Sequence, residues 1–199
     1  MNMIDRIKGI LLQPKQEWQT ISGETATVAD LYKNYILPLA AIGPAASVIG
    51  MSVVGVRIPF AGAYRMSIAQ AVSYAVVRYI LTLVSVYILA LIIDALATTF
   101  SGEKNLSQAL KVSAYSATAA WVAGIFAIIP QLSVLGILGL YSLYLLYVGL
   151  PILMKSPQEK SIGYTVAVVV AAIVIFIVVG VVTRSVIPYS MTGPMPEMK

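Results

Sequence analysis

The sequence has 199 residues, of which 59% are hydrophobic and 11% are charged. An ordinary soluble domain carries about 25% charged residues, and a chain of this length cannot bury so much apolar surface in a water-soluble core. The composition therefore predicts an integral membrane protein. Because each spanning helix needs about 20 apolar residues, about five spans use the available length as one membrane domain.

The absence of cysteine and histidine narrows the function classes. It removes disulfides, the common zinc and haem ligands, and catalysis by a thiol or an imidazole, so we expect neither an enzymatic activity nor a cofactor. The net charge of +5 comes from basic residues scattered beside apolar segments. Such scatter is typical of membrane orientation and argues against a nucleic-acid partner.

Residues 1–34 are predicted to form a cytoplasmic amphipathic segment. Within residues 3–12, Ile4, Ile7 and Leu11 share one face of a helix, and Pro14 ends it. One interpretation places this helix in the lipid headgroup layer, with these three residues and Trp18 at the membrane interface. The other packs it as a cap against the end of the bundle, and the sequence leaves both open.

Five spans follow in the predicted membrane domain, residues 35–182. The first, at 35–56, contains Pro38 and Pro44, which remove backbone hydrogen bonds and should bend the helix. The others are predicted at 79–97 with an extension back to residue 66, at 113–129, at 132–154 and at 162–182. Residues 183–199 are too poor in apolar side chains to fold alone, and we expect a mobile tail.

The distribution of lysine and arginine predicts the orientation of these spans. Eight of these residues fall on the side of the amino terminus and five on the other side. The positive-inside rule then places the amino terminus in the cytoplasm and the carboxyl terminus outside. The predicted fold is an all-α, five-helix membrane bundle that begins with a short interfacial amphipathic helix.

The third span carries small residues at four-residue spacing, a pattern that lets membrane helices approach closely. They are Ser113 with Ala117, and Ser116 with Ala120 and Gly124. We expect a homodimer to form through this face.

Asp94 is the only acidic residue inside a predicted span, and an intramembrane carboxylate needs a partner, water or protonation. The helical rise places it near the cytoplasmic end of the second span, at the level of polar residues on the third and fourth spans. The predicted polar cluster consists of Asp94, Lys111, Tyr115, Ser116, Tyr144 and Tyr147. Either it lines a cavity open to the cytoplasm, or the carboxylate simply pairs with Lys104 or Lys111 at the interface.

Tyrosines recur every three residues on the fourth span, at Tyr141, Tyr144 and Tyr147. Such a stripe either lines a ligand groove or packs between helices with its hydroxyls bonded to neighbours. Motifs for intramembrane proteolysis and phosphate-binding glycine loops are absent from the sequence.

Four strings resemble one family of membrane proteins. They are IDRIKGILLQPKQEW at 4–18, TVADLYKNYILPLAAIGP at 27–44, IIDALATTFSGEKNLSQALKVSAYSATAAW at 92–121 and GLYSLYLLYVGLPILMK at 139–155. Together they resemble the prokaryotic Yip family, relatives of the membrane proteins that interact with Rab and Ypt GTPases. The resemblance covers residues 4–182, and Ser101 stands where the family often has glycine.

The resemblance implies five helices, a cytoplasmic amino terminus and no catalytic activity. Eukaryotic relatives are linked to vesicle traffic and small GTPases, but this amino-terminal segment lacks their long cytosolic region, so we do not transfer a Rab role. The leading hypothesis is a non-enzymatic scaffold or adaptor in the inner membrane of a prokaryote, in contact with membrane lipids and a cytoplasmic protein partner. The alternative is a lipid or small-solute transporter or channel with a polar cavity around Asp94.

Overall fold

A computed structural model describes residues 2–58 and 62–186 of the protein. Seven helices organise this part of the chain. Two short helices come first, α1 (Met3–Leu12) and α2 (Pro14–Gly23). Five helices long and apolar enough to cross a membrane follow: α3 (Val28–Val54), α4 (Ile68–Phe100), α5 (Leu106–Ile128), α6 (Pro130–Leu153) and α7 (Gln158–Ser185). This arrangement confirms the predicted all-α membrane bundle.

The helices α1 and α2 pack near one end of the bundle, and we call that end the amino-terminal face. The helices α3, α5 and α7 begin there, and α4 and α6 end there, as an alternating path across a membrane requires. Of the five spans, α5 is the most buried, with 56% of its apolar segment inside the protein, and α7 the least, with 6%. The central position therefore belongs to α5, and α7 presents most of its valine and isoleucine side chains to lipid.

The first span, α3, is bent where its prolines lie. Its start is fixed by a capping box, in which Thr27 Oγ1 accepts from the Asp30 backbone N–H and the Asp30 carboxylate accepts from the Thr27 N–H. A π-helical turn precedes Pro38, and the α-helix stops at Ala40 before it restarts at Ile42. The helix is thus interrupted at Ala41, in the region where the prolines predict a bend, and Pro44 has no N–H to offer to the carbonyl of Ala40.

A short hairpin connects α3 to α4, where the sequence predicts a loop. Strands β1 (Val56–Ile58) and β2 (Gly62–Tyr64) pair antiparallel. The next helix is capped by Ser67, whose Oγ accepts from the Gln70 N–H at 3.3 Å. From there it continues without a break to Ala97, so that the extension expected before residue 79 belongs to the same helix.

The hairpin of α5 and α6 has a single residue, Ile129, between its arms. The small residues of α5 meet other helices of the same chain: Ser113 Oγ donates to the Val86 carbonyl oxygen at 2.8 Å, and a Cβ on Gly124 would lie 2.9 Å from the Cα of Gly43. Ser113 and Gly124 are therefore used inside the bundle, whereas Ala120 of the same face is exposed, and the dimer expected through that face stays a prediction.

The last helix is longer than the sequence indicates. Its α-helical part runs from Ser161 to Val186, past the predicted end at residue 182. The first four residues of the expected mobile tail are therefore helical, and residues 187–199 lie outside the described part of the chain.

Candidate functional site

The amino-terminal face holds a group of buried charges that we call the charge cluster, formed by Arg6, Glu17, Glu24 and Lys111. Arg6 lies on α1, and only 6% of its side chain is exposed. One guanidinium nitrogen donates to Glu17 Oε1 at 2.5 Å, and the other donates to Glu24 Oε2 at 2.6 Å. Arg6 thus pairs with two carboxylates, which offsets the desolvation cost of burying its guanidinium.

The geometry of α1 and α2 brings these charges together. Asn2 caps the start of α1 by accepting from the Ile4 N–H, and Pro14 occupies the first turn of α2, where its missing N–H is not needed. The two helices thus form a tight hairpin around Gln13. At their closest approach, a Cβ on Gly9 would lie 2.4 Å from Glu17 Oε2, so a larger residue would displace the carboxylate that binds Arg6.

Lys111 of α5 holds the end of α2. Its side chain is buried, and its ammonium donates to the backbone carbonyl of Ile21 at 3.1 Å and to that of Glu24. Gln108 Nε2 donates to the Ser22 carbonyl at 3.0 Å. The last carbonyls of a helix lack intrahelical partners, and a cation is favourable there, so α5 supplies what the end of α2 needs.

We call α1 and α2 together the cap. Aromatic rings complete the contact between the cap and the bundle. Trp18 is fully buried, and a Cβ on Gly149 of α6 would lie 2.6 Å from its ring. The Tyr115 ring contacts Trp18 edge-on at 6.2 Å between centroids, and the Arg6 guanidinium lies 5.5 Å from the centre of the same ring. Only a glycine at position 149 lets the indole seat so closely against α6.

The electrostatics of Arg6 show how the cluster balances burial against pairing. Burial alone would lower the pKa of the Arg6 guanidinium, but its hydrogen bond to the Glu24 carboxylate and the nearby negative charges act more strongly, and the net pKa is raised. Arg6 therefore stays charged at every physiological pH.

Two polar clefts flank the charge cluster. One, of about 490 Å³, lies between the α2–α3 link and α5, and it is lined by Glu24, Asp30 and Lys111 among others. The second, of about 570 Å³, lies on the α1 side and reaches Arg6 and Tyr115. Both are wide and polar, which suits contact with water or a protein surface better than enclosure of a small apolar ligand.

The structure separates the members of the predicted polar cluster. Lys111 and Tyr115 face the cap, where their partners are α2 carbonyls and Arg6. Asp94 lies half-buried on α4, and its Oδ1 and the buried Ser116 Oγ have no hydrogen-bond partner among the described residues. The pairing of Asp94 with Lys111 that the sequence suggested is absent, because the Lys111 side chain turns toward α2.

The tyrosine stripe of α6 is divided in the same way. Tyr144 is 41% exposed and rests against Tyr141, whose hydroxyl donates to the Leu11 carbonyl at 3.1 Å. Tyr147 packs partly buried against the core. These rings serve helix packing and the docking of α1, and none of them lines either polar cleft.

The residues predicted for the membrane interface lie in different environments. Trp18 is inside the protein, so its placement as a lipid anchor is wrong: the indole fills the space over Gly149. Ile7 and Leu11 pack partly buried against the core, and Ile4 remains 54% exposed. Of the two arrangements that the sequence left open, the structure shows the packed cap.

Sequence reasoning missed Arg6, Glu17 and Glu24 as site residues. Their signal was available in part, since opposite charges on either side of the Pro14 break can pair across a helical hairpin. The ion pair between Glu24 and Arg6 has no such signal in the sequence, because it depends on the path of the chain after the end of α2.

The five spanning helices define a polytopic membrane protein. The docked cap gives it a folded surface at the amino-terminal face. The model of the Yip1 domain matches residues 8–180. The chain therefore belongs to the Yip family, whose members are generally non-enzymatic membrane proteins. No curated protein and no solved structure shows significant similarity to it.

Proposed function

We propose that the protein is a non-enzymatic membrane scaffold that presents the cap to a protein partner in the cytoplasm of a prokaryotic cell. The observation that carries this proposal is the way the cap is held. A helix that only anchors a chain to lipid needs an apolar face, whereas this cap is fixed by two buried cations, by the two carboxylates that pair with one of them, and by a fully buried indole.

Buried charge pairs are an inefficient source of stability, since apolar residues of similar volume often do as well or better. Their directional hydrogen bonds instead favour one arrangement of the groups they join. In this protein they set the orientation of α1 and α2 on α5. The exposed surface of the cap carries the polar residues Lys8, Lys15 and Gln19 together with the apolar side chains of Ile4 and Leu12.

The orientation proposed for this face follows the bias of lysine and arginine toward the amino-terminal side. Proteins of the Yip family interact with membranes and with Rab GTPases. The cap and the polar clefts beside it form the surface of this chain that best suits a soluble protein. The transport alternative has less support, because Asp94 lines neither of the two polar clefts.

Site-specific photocrosslinking in native membranes tests the proposal. A photoreactive residue at Lys8 or at Gln19 is expected to form a protein adduct of defined mass, whereas one at the lipid-facing Val174 captures only lipid. Undocking the cap with Arg6→Gln is expected to abolish the protein adduct without loss of the protein from the membrane. Capture of lipid alone at both cap positions would show that the cap recruits no partner.

A further inference from the structure

A groove opens sideways between α4, α5 and α7, on the half of the bundle away from the cap. It encloses about 360 Å³, within the range of sites that hold small ligands. Its walls come from apolar residues of all three helices, among them Leu89, Ala117 and Phe176. The neighbouring α7 is the least buried span, so the groove faces lipid.

The serine and threonine hydroxyl groups along this groove already donate hydrogen bonds within the protein. Those of Thr82, Ser85, Ser113 and Thr183 each donate to a backbone carbonyl, at 2.8, 2.7, 2.8 and 2.6 Å respectively. They add no free donors to the wall, and the surface that a ligand meets is apolar. An alkyl chain suits such a wall because it asks for no hydrogen bonds.

Arg78 is the exception at one end of the groove. It lines the groove, its side chain is exposed, and none of the ion pairs among the described residues includes it. Its Nη1 donates to the Tyr74 hydroxyl at 3.1 Å, one turn nearer the start of α4. A cation inside a spanning helix is costly and calls for an anion or access to water.

The level of Arg78 in the membrane indicates which anion is available. When α4 is centred in a bilayer whose hydrocarbon core is about 30 Å thick, Arg78 lies about 9 Å from the midplane and Tyr74 about 15 Å. The guanidinium points toward Tyr74 and so reaches the edge of the hydrocarbon layer. Lipid phosphates lie at that edge.

The length of the groove agrees with a lipid tail below such a headgroup. From Tyr74 to Leu89 the groove follows α4 for about 22 Å, which exceeds the half-thickness of about 15 Å that one leaflet provides. A single acyl chain can therefore lie along the wall from the edge to beyond the midplane.

We propose that this groove is a binding site for one anionic phospholipid of the leaflet opposite the amino-terminal face. Arg78, supported by Tyr74, binds the phosphate, and the walls of α4, α5 and α7 hold an acyl chain. The site is distinct from the charge cluster and does not depend on the proposed scaffold function.

Native mass spectrometry of the full chain, purified in mild detergent and offered equal amounts of phosphatidylglycerol and phosphatidylcholine, tests the headgroup site. Arg78→Gln is expected to lower the retained ratio of phosphatidylglycerol to phosphatidylcholine about tenfold, the effect of losing a hydrogen bond to a charged group. The matched control is Arg184→Gln, which removes an exposed cation of α7 that does not line the groove. An equal drop in both variants, or no drop in either, would overturn the site.

Filling the groove tests the acyl-chain wall. Gly180 lines the groove and has no heavy atom within 4 Å of the place its Cβ would take, so Gly180→Leu adds bulk without a clash. We expect it to reduce retention of both lipids several-fold. Gly136→Leu is the control, because Gly136 has equally open surroundings and lies outside the groove. Unchanged retention in Gly180→Leu, with a correctly folded protein, would show that the groove holds no lipid.

Discussion

Removal of the Arg6 guanidinium is the most direct perturbation of the cap. In Arg6→Gln, Glu17 keeps its position with 12% of its side chain exposed, whereas Glu24 is 37% exposed and can turn to water. The cost is therefore dominated by one buried carboxylate, and we expect the lower end of the range for a broken buried pair, about 3 kcal/mol. The double variant Arg6→Gln/Glu17→Gln removes that orphan charge and is expected to recover about 1–2 kcal/mol.

The fluorescence of Trp18 measures this equilibrium. The chain has two tryptophans, so a Trp121→Phe background leaves Trp18 as the only reporter. Undocking moves a fully buried indole into water, and its emission shifts to longer wavelength and becomes accessible to acrylamide. Urea titration in mild detergent then gives the free energy of undocking by linear extrapolation.

The reasoning about the charge cluster would be refuted by either of two results. In one, Arg6→Gln would leave the Trp18 transition within about 0.5 kcal/mol of the parent, no more than an ordinary surface substitution. In the other, Lys8→Gln, which removes an exposed cation of the same helix, would weaken docking as much as Arg6→Gln does.

Three further substitutions follow from the same contacts. Gly149→Leu drives a side chain into the Trp18 ring, and we expect a loss of about 3 kcal/mol from overpacking together with a shifted Trp18 emission. Lys111→Met removes the ammonium from the Ile21 and Glu24 carbonyls at the end of α2 and is expected to cost about 2 kcal/mol in urea titration, whereas the exposed Lys104→Met costs almost nothing. Ser101 has a left-handed backbone with φ of 57°, so Ser101→Gly is expected to stabilise the protein by about 1 kcal/mol in thermal unfolding.

Each of these substitutions has its own check. Gly136→Leu places the same side chain on α6 where no atom is near, and a loss as large as that of Gly149→Leu would point to helix propensity and not to the indole. Equal effects of Lys111→Met and Lys104→Met would exclude the capping role of Lys111. Destabilisation by Ser101→Gly would mean that the Lys160–Ser101 hydrogen bond outweighs the backbone strain.

Hydropathy alone predicts the membrane fold of this protein, because the apolar runs are long and the charged residues lie between them. The bend of α3 is also predictable, since a proline removes a hydrogen bond in any helix. The left-handed conformation at Ser101 is one that glycine adopts without steric cost.

The site was harder to predict, because depth along a helix does not fix the direction in which a side chain points. Asp94 and Lys111 were expected to meet at one level, but Lys111 turns toward α2. Asp94 is set apart from the cap on α4. A charge inside a span is usually taken to mark a functional site, and this rule favours Asp94. Three of the four charged residues of the cluster instead lie outside the spans, on α1, on α2 and directly after α2.

The position of Trp18 also sets the order of events during synthesis. Gly149, against which the Trp18 ring packs, is translated 131 residues after Trp18, which corresponds to about 7 to 26 s at about 5 to 20 residues per second. During that interval the Trp18 indole on α2 lacks the wall of α6 against which it packs, although α1 and α2 can already contact each other and α5. The cap can therefore reach its final docked position only after α6 has been made.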